Sequence, residues 1–309
     1  MRTLIQDVRY GLRMLSKNPG FTAVAVLTLA LGIGINAAVF SVVDSFLLRP
    51  LPVEDPQQIT ILDFPQKQGF ALPLFSIPDY RDLRDQTASV FSGMFSYLSR
   101  FDGVSVNGKA ERIRTCYVTG NFFSTLRIKP ALGRFILPTE GETPGRDPVV
   151  VLSYSYWKGR FGGDREIVGR TVSIDGHPVT IVGVAPEGFF GMNLMVAQQA
   201  YLPLGMAVYG GHAPDFMTNR AARFVYVGAR LQPGKTLEQA QASLDVVARR
   251  LAQQYSDVDK DFVVQAYPEL RARPIPQASN IMVVISGLFL GLTAVVLLLA
   301  CVSTPLGSS

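Results

Sequence analysis

Charge is scarce in this chain. Only 17% of its 309 residues are Asp, Glu, Lys or Arg, against about 25% in ordinary soluble proteins. Cysteine and histidine are scarcer still, with two of each. Cys116 lies in the middle of the chain and Cys301 in an apolar run, so a disulfide would have to form across a membrane, which its geometry forbids. Cys116 reads as a small buried residue, not a reactive thiol. His177 falls in a hairpin turn and His212 in a "GGHAP" loop. Neither has a partner at H-x-x-x-H or C-x-x-C spacing, so no metal site is expected. There is no G-x-S-x-G elbow and no recognisable Ser–His–Asp set. No catalytic residue, cofactor or metal is expected, and the chain is not expected to be an enzyme.

What the chain has in place of charge is two long apolar runs. Phe21–Val43 and Ile281–Val302 carry no charged residue. At 1.5 Å per residue, each is long enough as a helix to span the roughly 30 Å hydrocarbon core of a bilayer. About 230 residues of mixed composition lie between them. Within the first run, Gly32, Gly34 and Ala37 fit G-x-G-x-x-G/A, the turn that seats a dinucleotide. Such a turn needs a short strand before it and a soluble helix after it, yet here the apolar character continues on both sides. Glu54 and Asp55, where the ribose acid would lie, sit in the proline-rich "RPLPVEDP". The run is expected to be a membrane helix. Its small residues Ala30, Gly34 and Ala38 then form a smooth face, as do Gly287 and Gly291 in the second run, and these five are the candidate helix-packing positions.

The net charge of +5 does not point to nucleic acid, because it is unevenly placed. Arg2, Arg9, Arg13 and Lys17 against Asp7 give +3 before the first run. Basic residues crowded there mark the cytoplasmic side, with the middle region outside. Leu4, Ile5, Val8, Leu12 and Leu15 share one helical face, which predicts an interfacial helix over 1–19 on membrane lipids, ended at Asn18-Pro19-Gly20.

Proline-rich connectors, "LLRPLPVEDP" and "RARPIPQ", set the middle region apart. Inside them lie two similar units. The first has a strand at "QITILDF", a helix from about Pro78, and a returning strand at "GVSVNG" ending in the hairpin signal Asn107-Gly108. The second has a strand at "RFVYVGARL", a helix at "TLEQAQASLDVVARRLAQQY" and a strand at "DFVVQAY". Leu237, Ala240, Leu244, Val247, Ala248 and Leu251 form one apolar stripe on that helix. The two β-α-β units are expected to pair into one sheet-and-helix layer. Between them, short strands and turns dominate, with Asp175-Gly176 as a hairpin turn and Ser153 capping a short helix stopped by Gly162-Gly163.

Two further patterns are given structural roles. Ala229-Arg-Leu-Gln-Pro-Gly234-Lys235-Thr236 fits a relaxed phosphate loop, but Pro233 has no N–H to offer a phosphate. Thr236 and Gln239 instead make a capping box. Asp79, Asp82 and Asp85 alternate with Arg81 and Arg84, the pattern of a solvated helix face. Trp157, with Tyr154 and Tyr156, is assigned to the core.

Several stretches together resemble the MacB-like, FtsX-like ABC transporter permeases, and especially the bacterial duplicated orphan type. They are "DVRYGLRMLSKNPGFTAVAVLTLALGIGINAAVFSVVDSFLLRPLP", "VTGNFFSTLRIKPALGR", "VVVLSYSYWKGRFGGDREIVGRTVSIDGHPVTIVGVAPEGF" and "LQPGKTLEQAQASLD". The resemblance implies a membrane helix leading into a two-lobed periplasmic domain, with motion powered by a separate ABC ATPase. It also implies pairing with other permease chains, as a dimer, in the bacterial inner membrane, for efflux or envelope remodelling.

The expected architecture is α+β, with two transmembrane helices, 20–48 and 281–302, bracketing an extracytoplasmic core domain at 49–280. Its β-α-β lobe takes 57–109 plus 216–270, and an inserted β-rich lobe takes 110–215. The tail, 303–309, is short where similar permeases continue, so the chain is expected to be a fragment or a truncated product. That puts coupling to the ATPase in question for this polypeptide. The alternative is a two-helix membrane receptor with an outer ligand-sensing α/β domain.

Overall fold

A computed structural model describes residues 50–64, 72, 74–106, 108–192 and 197–272. It also describes helical positions 19, 20, 22, 23, 26, 27, 30, 33, 34 and 291. The chain divides into two units, residues 1–49 with 278–309, and residues 50–277. In the first unit, Pro19 and Gly20 belong to a helix. Residues 1–18 lie outside the described residues, and with them the expected interfacial helix and its end at Asn18-Pro19-Gly20. Among the described residues no helix is long and apolar enough to cross a membrane. Both apolar runs lie mostly outside them, as do residues 1–18 and 303–309.

The second unit is built on one ten-stranded sheet. The first segment supplies β1 (Ile59–Asp63), α1 (Ile77–Gln86) and β2 (Phe91–Val106), and the last supplies β9 (Tyr226–Leu231), α4 (Leu237–Gln254) and β10 (Gln265–Pro268). These strands lie in the order β10-β1-β9-β2, and every neighbouring pair is antiparallel. Each β-α-β unit therefore brackets a strand of the other, the split β-α-β arrangement. The two expected units do form one layer.

Between β2 and β9 come β3 (Lys109–Val118), α2 (Phe122–Leu126), β4 (Leu132–Gly133), β5 (Val149–Leu152), α3 (Tyr154–Phe161), β6 (Thr171–Ile174), β7 (His177–Val184) and β8 (Ala200–Pro203). The order continues β2-β3-β8-β5-β7-β4, with β6 bridging β7 and β2. The "GVSVNG" strand proves to be only the end of β2, which runs 16 residues and pairs with β3 from Tyr97↔Val118 to Val106↔Lys109. That long hairpin carries the sheet from one region into the other.

Local chemistry sets the boundaries. Ser76 accepts from Asp79 N–H at 3.1 Å while the Asp79 carboxylate accepts from Ser76 N–H at 3.4 Å, a capping box at the start of α1. Thr236 and Gln239 do the same for α4. Such a cap contributes about 1 kcal/mol. Ser153 caps α3 and Gly162, at φ 63°, ends it. Asp175 and Gly176 both take positive φ in the β6–β7 turn, as a two-residue hairpin requires.

Both sheet faces are covered. On one, α1 and α4 bury Tyr80, Leu83, Ala240, Leu244, Val247 and Leu251 against Met94, Val225, Val227 and Ala229. On the other, Phe122, Phe123 and Leu126 of α2 pack on Ile59, Ile61, Phe95 and Val118. Phe95 fits only because β9 carries Gly228 opposite it. A Cβ there would stand 2.5 Å from the Phe95 ring.

Candidate functional site

The chain passes into and out of the sheet of the second unit at one place. β1 and β10 are antiparallel neighbours with Thr60 opposite Pro268. The start of the first strand therefore lies beside the end of the last. The incoming segment folds onto this base: Leu51 is buried in the cluster that holds Phe122 and Ala272, and Asp55 adopts φ 47° to turn the chain into β1.

Two arginines hold that segment. Arg127 follows α2 in a left-handed conformation and pairs with Glu54 at 3.1 Å and Asp55 at 3.4 Å. These side chains are a third or more exposed, so such pairs contribute at most about 1 kcal/mol. Arg230 is different. It is buried, one residue before the end of β9. Its Nε donates to Thr125 O at 2.6 Å and its Nη2 to Leu126 O at 3.2 Å. Its Nη1 donates to Asp55 O at 3.3 Å and Gln58 Oε1 at 3.5 Å. One guanidinium thus satisfies carbonyls at the end of α2 and ties the incoming segment to them, a cation at the negative end of a helix. Burial, and then the nearby Arg127 charge, hold Arg230 below its ordinary pKa.

A second ionic cluster corrects the solvated-face expectation for α1. Arg81, Arg84, Asp82 and Asp85 are at least partly exposed, but Asp79 is wholly buried. It pairs with Arg220 at 2.5 Å, and Asp82 also pairs with Arg220. Asp259, also buried, pairs with Arg223. Tyr255 stacks on Arg220 at 3.8 Å and Phe64 on Arg223 at 4.5 Å. Spacing along α1 could not show a partner 141 residues away.

The remaining chemistry-bearing residues take structural places. Gly234 at φ 78° shapes the turn before α4, and the Thr236–Gln239 box occupies the helix start where a phosphate would bind. His177 stacks on Tyr209 at 3.7 Å. His212 packs against Phe224, and burial, followed by the Arg100 charge, lowers its pKa. Cys116 is buried, and burial raises its thiol pKa. Trp157 and Tyr156 are core, and the Trp157 indole donates to Asp164 O at 2.8 Å. Among the described residues no group of three or more His, Cys, Asp or Glu is placed to hold a metal ion. Of the helix-packing candidates, Ala30, Gly34 and Gly291 are helical and exposed. A Cβ on Gly34 or Gly291 would meet nothing within 4 Å. Ala38 and Gly287 lie outside the described residues.

Among the described residues, two clefts lie at the surface. One of about 310 Å³ is lined by Tyr154, Ser155, Lys158 and Glu187–Phe190. The other, about 320 Å³, runs between α4 and the outer edge of β10.

Residues 22–247, nearly three quarters of the chain, match the profile of the MacB-like periplasmic core domain. The chain belongs to that family. Solved structures with the same fold include the extracellular domain of the noncanonical ABC-type transporter YknZ from Gram-positive bacteria. That structure has a TM-score of 0.50 at 15% identity, covering 68% of this chain and 99% of that one. The periplasmic region of MacB from Actinobacillus actinomycetemcomitans gives 0.50 at 13%, covering 75% and 94%. A permease-protein domain from Porphyromonas gingivalis gives 0.51 at 14%, covering 71% and 92%. No curated protein matches the chain. The MacB-like core is thus a mixed α/β extracytoplasmic domain of the kind that ABC transporter permeases carry, and the base just described is where its two ends meet.

Proposed function

We propose that this chain serves in a permease subunit of a MacB-like ABC transporter in the bacterial inner membrane. Residues 20–48 and 281–302 span the bilayer, the N-terminus is cytoplasmic, and the core domain is periplasmic. A separate ABC ATPase supplies the force, and the domain passes the motion on for efflux or envelope remodelling. Ala30, Gly34, Ala38, Gly287 and Gly291 provide close-packing faces toward another permease chain. The observation that carries this proposal is the pairing of β1 with β10. Both connectors pull on one strand pair, so motion of the spans becomes motion of the whole domain.

Topology is tested by single cysteines at Lys109 and Lys260, both exposed, in a chain whose Cys116 and Cys301 are replaced by alanine. An impermeant maleimide should label both sites in intact spheroplasts and should not label a cysteine at Lys17. Protection of both outer sites refutes the orientation. Transmission is tested with spin labels at Lys260 in the transporter purified with its ATPase. The distance distribution between two copies should shift on adding ATP, and an unchanged distribution rejects it.

A further inference from the structure

Three carboxylates and two guanidiniums meet where α1, residues 211–225 and the end of α4 come together. Asp79 and Asp82 come from α1, and Asp259 follows α4. Arg220 and Arg223 come from the segment that returns from the inserted region to β9. The count leaves one negative charge in excess, and burial decides where it falls. The side chains of Asp79 and Asp259 are wholly buried, whereas that of Asp82 is 29% exposed and can share its charge with water.

The hydrogen bonds separate the two buried acids. Asp79 accepts from Ser76 N–H and from Arg220, with Arg223 at 3.8 Å. Asp259 accepts from Arg223 through Oδ1, while its Oδ2 receives no hydrogen bond and has Arg220 only at 3.6 Å. Arg220 also lies over the Tyr255 ring, and Arg223 over the rings of Phe64 and Phe262. His212, in the same segment against Phe216 and Phe224, has its pKa lowered by burial and then by the Arg100 charge, so its own protonation opposes closure and is removed in the test below. The other nearby charges are engaged elsewhere. Arg81 turns to Glu142 and Met217 O, Arg84 to Asp85, and Asp215 accepts from Asn219. Asp257 and Lys260 flank Asp259 in the chain.

We propose that Asp259, set against Asp79, is a proton-binding site, and that the bound proton closes a clip holding residues 211–225 onto α1 and the end of α4. The unbonded oxygen is where the proton sits. Protonation removes the excess buried charge while Oδ1 keeps its bond to Arg223. Burial, and then the Asp79 charge, push Asp259 up to about 6, against the opposing pull of Arg223 and Arg220. Once the clip opens and water reaches the carboxyl, it returns to the ordinary aspartate range near 3.9. The closed form therefore binds the proton more tightly than the open form. Closure is favoured as pH falls through about 6 and weakened as pH rises through it. The clip fastens the segment that returns from the inserted region onto α1 and the end of α4, so its strength sets how firmly that segment is held. This inference concerns residues within one unit and does not depend on the transport proposal.

The test is hydrogen exchange, read by mass spectrometry, on the full chain in detergent. After correction for intrinsic exchange, and in a chain with His212→Asn as the reference for every variant, the opening of residues 215–224 should be about tenfold greater at pH 7.5 than at pH 5. In Asp259→Asn the opening should stay at the low, acid level at both pH values. Asp79→Asn removes the repelling charge and should move the midpoint downward, which serves as the readout should Asp259→Asn not fold. Equal opening of the His212→Asn reference at both pH values overturns the proposal. So does an Asp259→Asn chain that keeps the full pH dependence, or an Asp79→Asn chain with an unmoved midpoint.

Discussion

Replacing Arg230 tests whether the base is held as described. In Arg230→Ala the carbonyls of Thr125 and Leu126 lose their donor inside the protein, and a buried acceptor left unmade costs about 1–3 kcal/mol. Two of them put the loss at about 2–6 kcal/mol, and the incoming segment loses its bond at Asp55 O as well. Arg230→Met keeps most of the aliphatic stem, so comparing it with alanine separates packing from hydrogen bonding. Lysine, with a single ammonium, should recover one carbonyl and a minor part of the stability. The assay is urea and thermal unfolding of residues 50–277, the unit that holds the whole sheet. A loss near 4 kcal/mol corresponds to roughly 10 °C in Tm for a domain of this size. If Arg230→Ala and Arg230→Met each lose less than about 1 kcal/mol, the buried guanidinium is not what fastens the incoming segment.

Two further outcomes are expected of the same unit. Lys235→Ala should change stability by no more than about 0.5 kcal/mol, as exposed sites usually do, and ATP should not bind measurably to either form by calorimetry; binding that the substitution removes would restore the phosphate-loop function. Gly120→Ala should unfold the domain at clearly lower urea, because a Cβ there would stand 2.1 Å from the Leu137 carbonyl oxygen, and stability equal to wild type would show that the 119–121 turn is not packed this tightly.

Legibility followed the range of the interaction. Capping boxes at Ser76 and Thr236, the Asp175-Gly176 turn and the α4 stripe are each set within a few residues, and the sequence showed the last three directly. β9 shows where this stops. Val225, Val227, Ala229 and Leu231 alternate as a one-sided strand would, which places Arg230 in solvent. It is buried because α2, more than a hundred residues away in the chain, covers the second face. Asp79 was misplaced for the same reason: its spacing on α1 is that of a surface helix, and the partner that buries it comes from the return segment to β9. Both cases involve a charge in a pattern that looks solvated, balanced by groups remote in sequence. Periodicity reports what a residue's own element wants, and cannot report what later packs on it.

The base also has a mechanical consequence. Any load from the two connectors, as the proposed function requires, would reach β1 and β10 at the same end, because the segment entering β1 and the segment leaving β10 lie side by side. When the two connectors move together, the sheet moves as one body. When they move apart, an antiparallel pair loaded this way is peeled, one hydrogen bond after another, with little resistance from the rest of the ladder. Resistance has to come from groups that bind a connector to something other than its partner strand. Leu51 does so by packing into the cluster around Phe122, and Arg230 does so by fastening Asp55 O and Gln58 to the carbonyl end of α2. The load on the incoming segment then passes into α2 and the middle of the sheet through β9, bypassing the β1–β10 ladder. Under the proposed function, in which the spans move the domain, that fixture is what keeps the β1–β10 ladder from carrying the load alone.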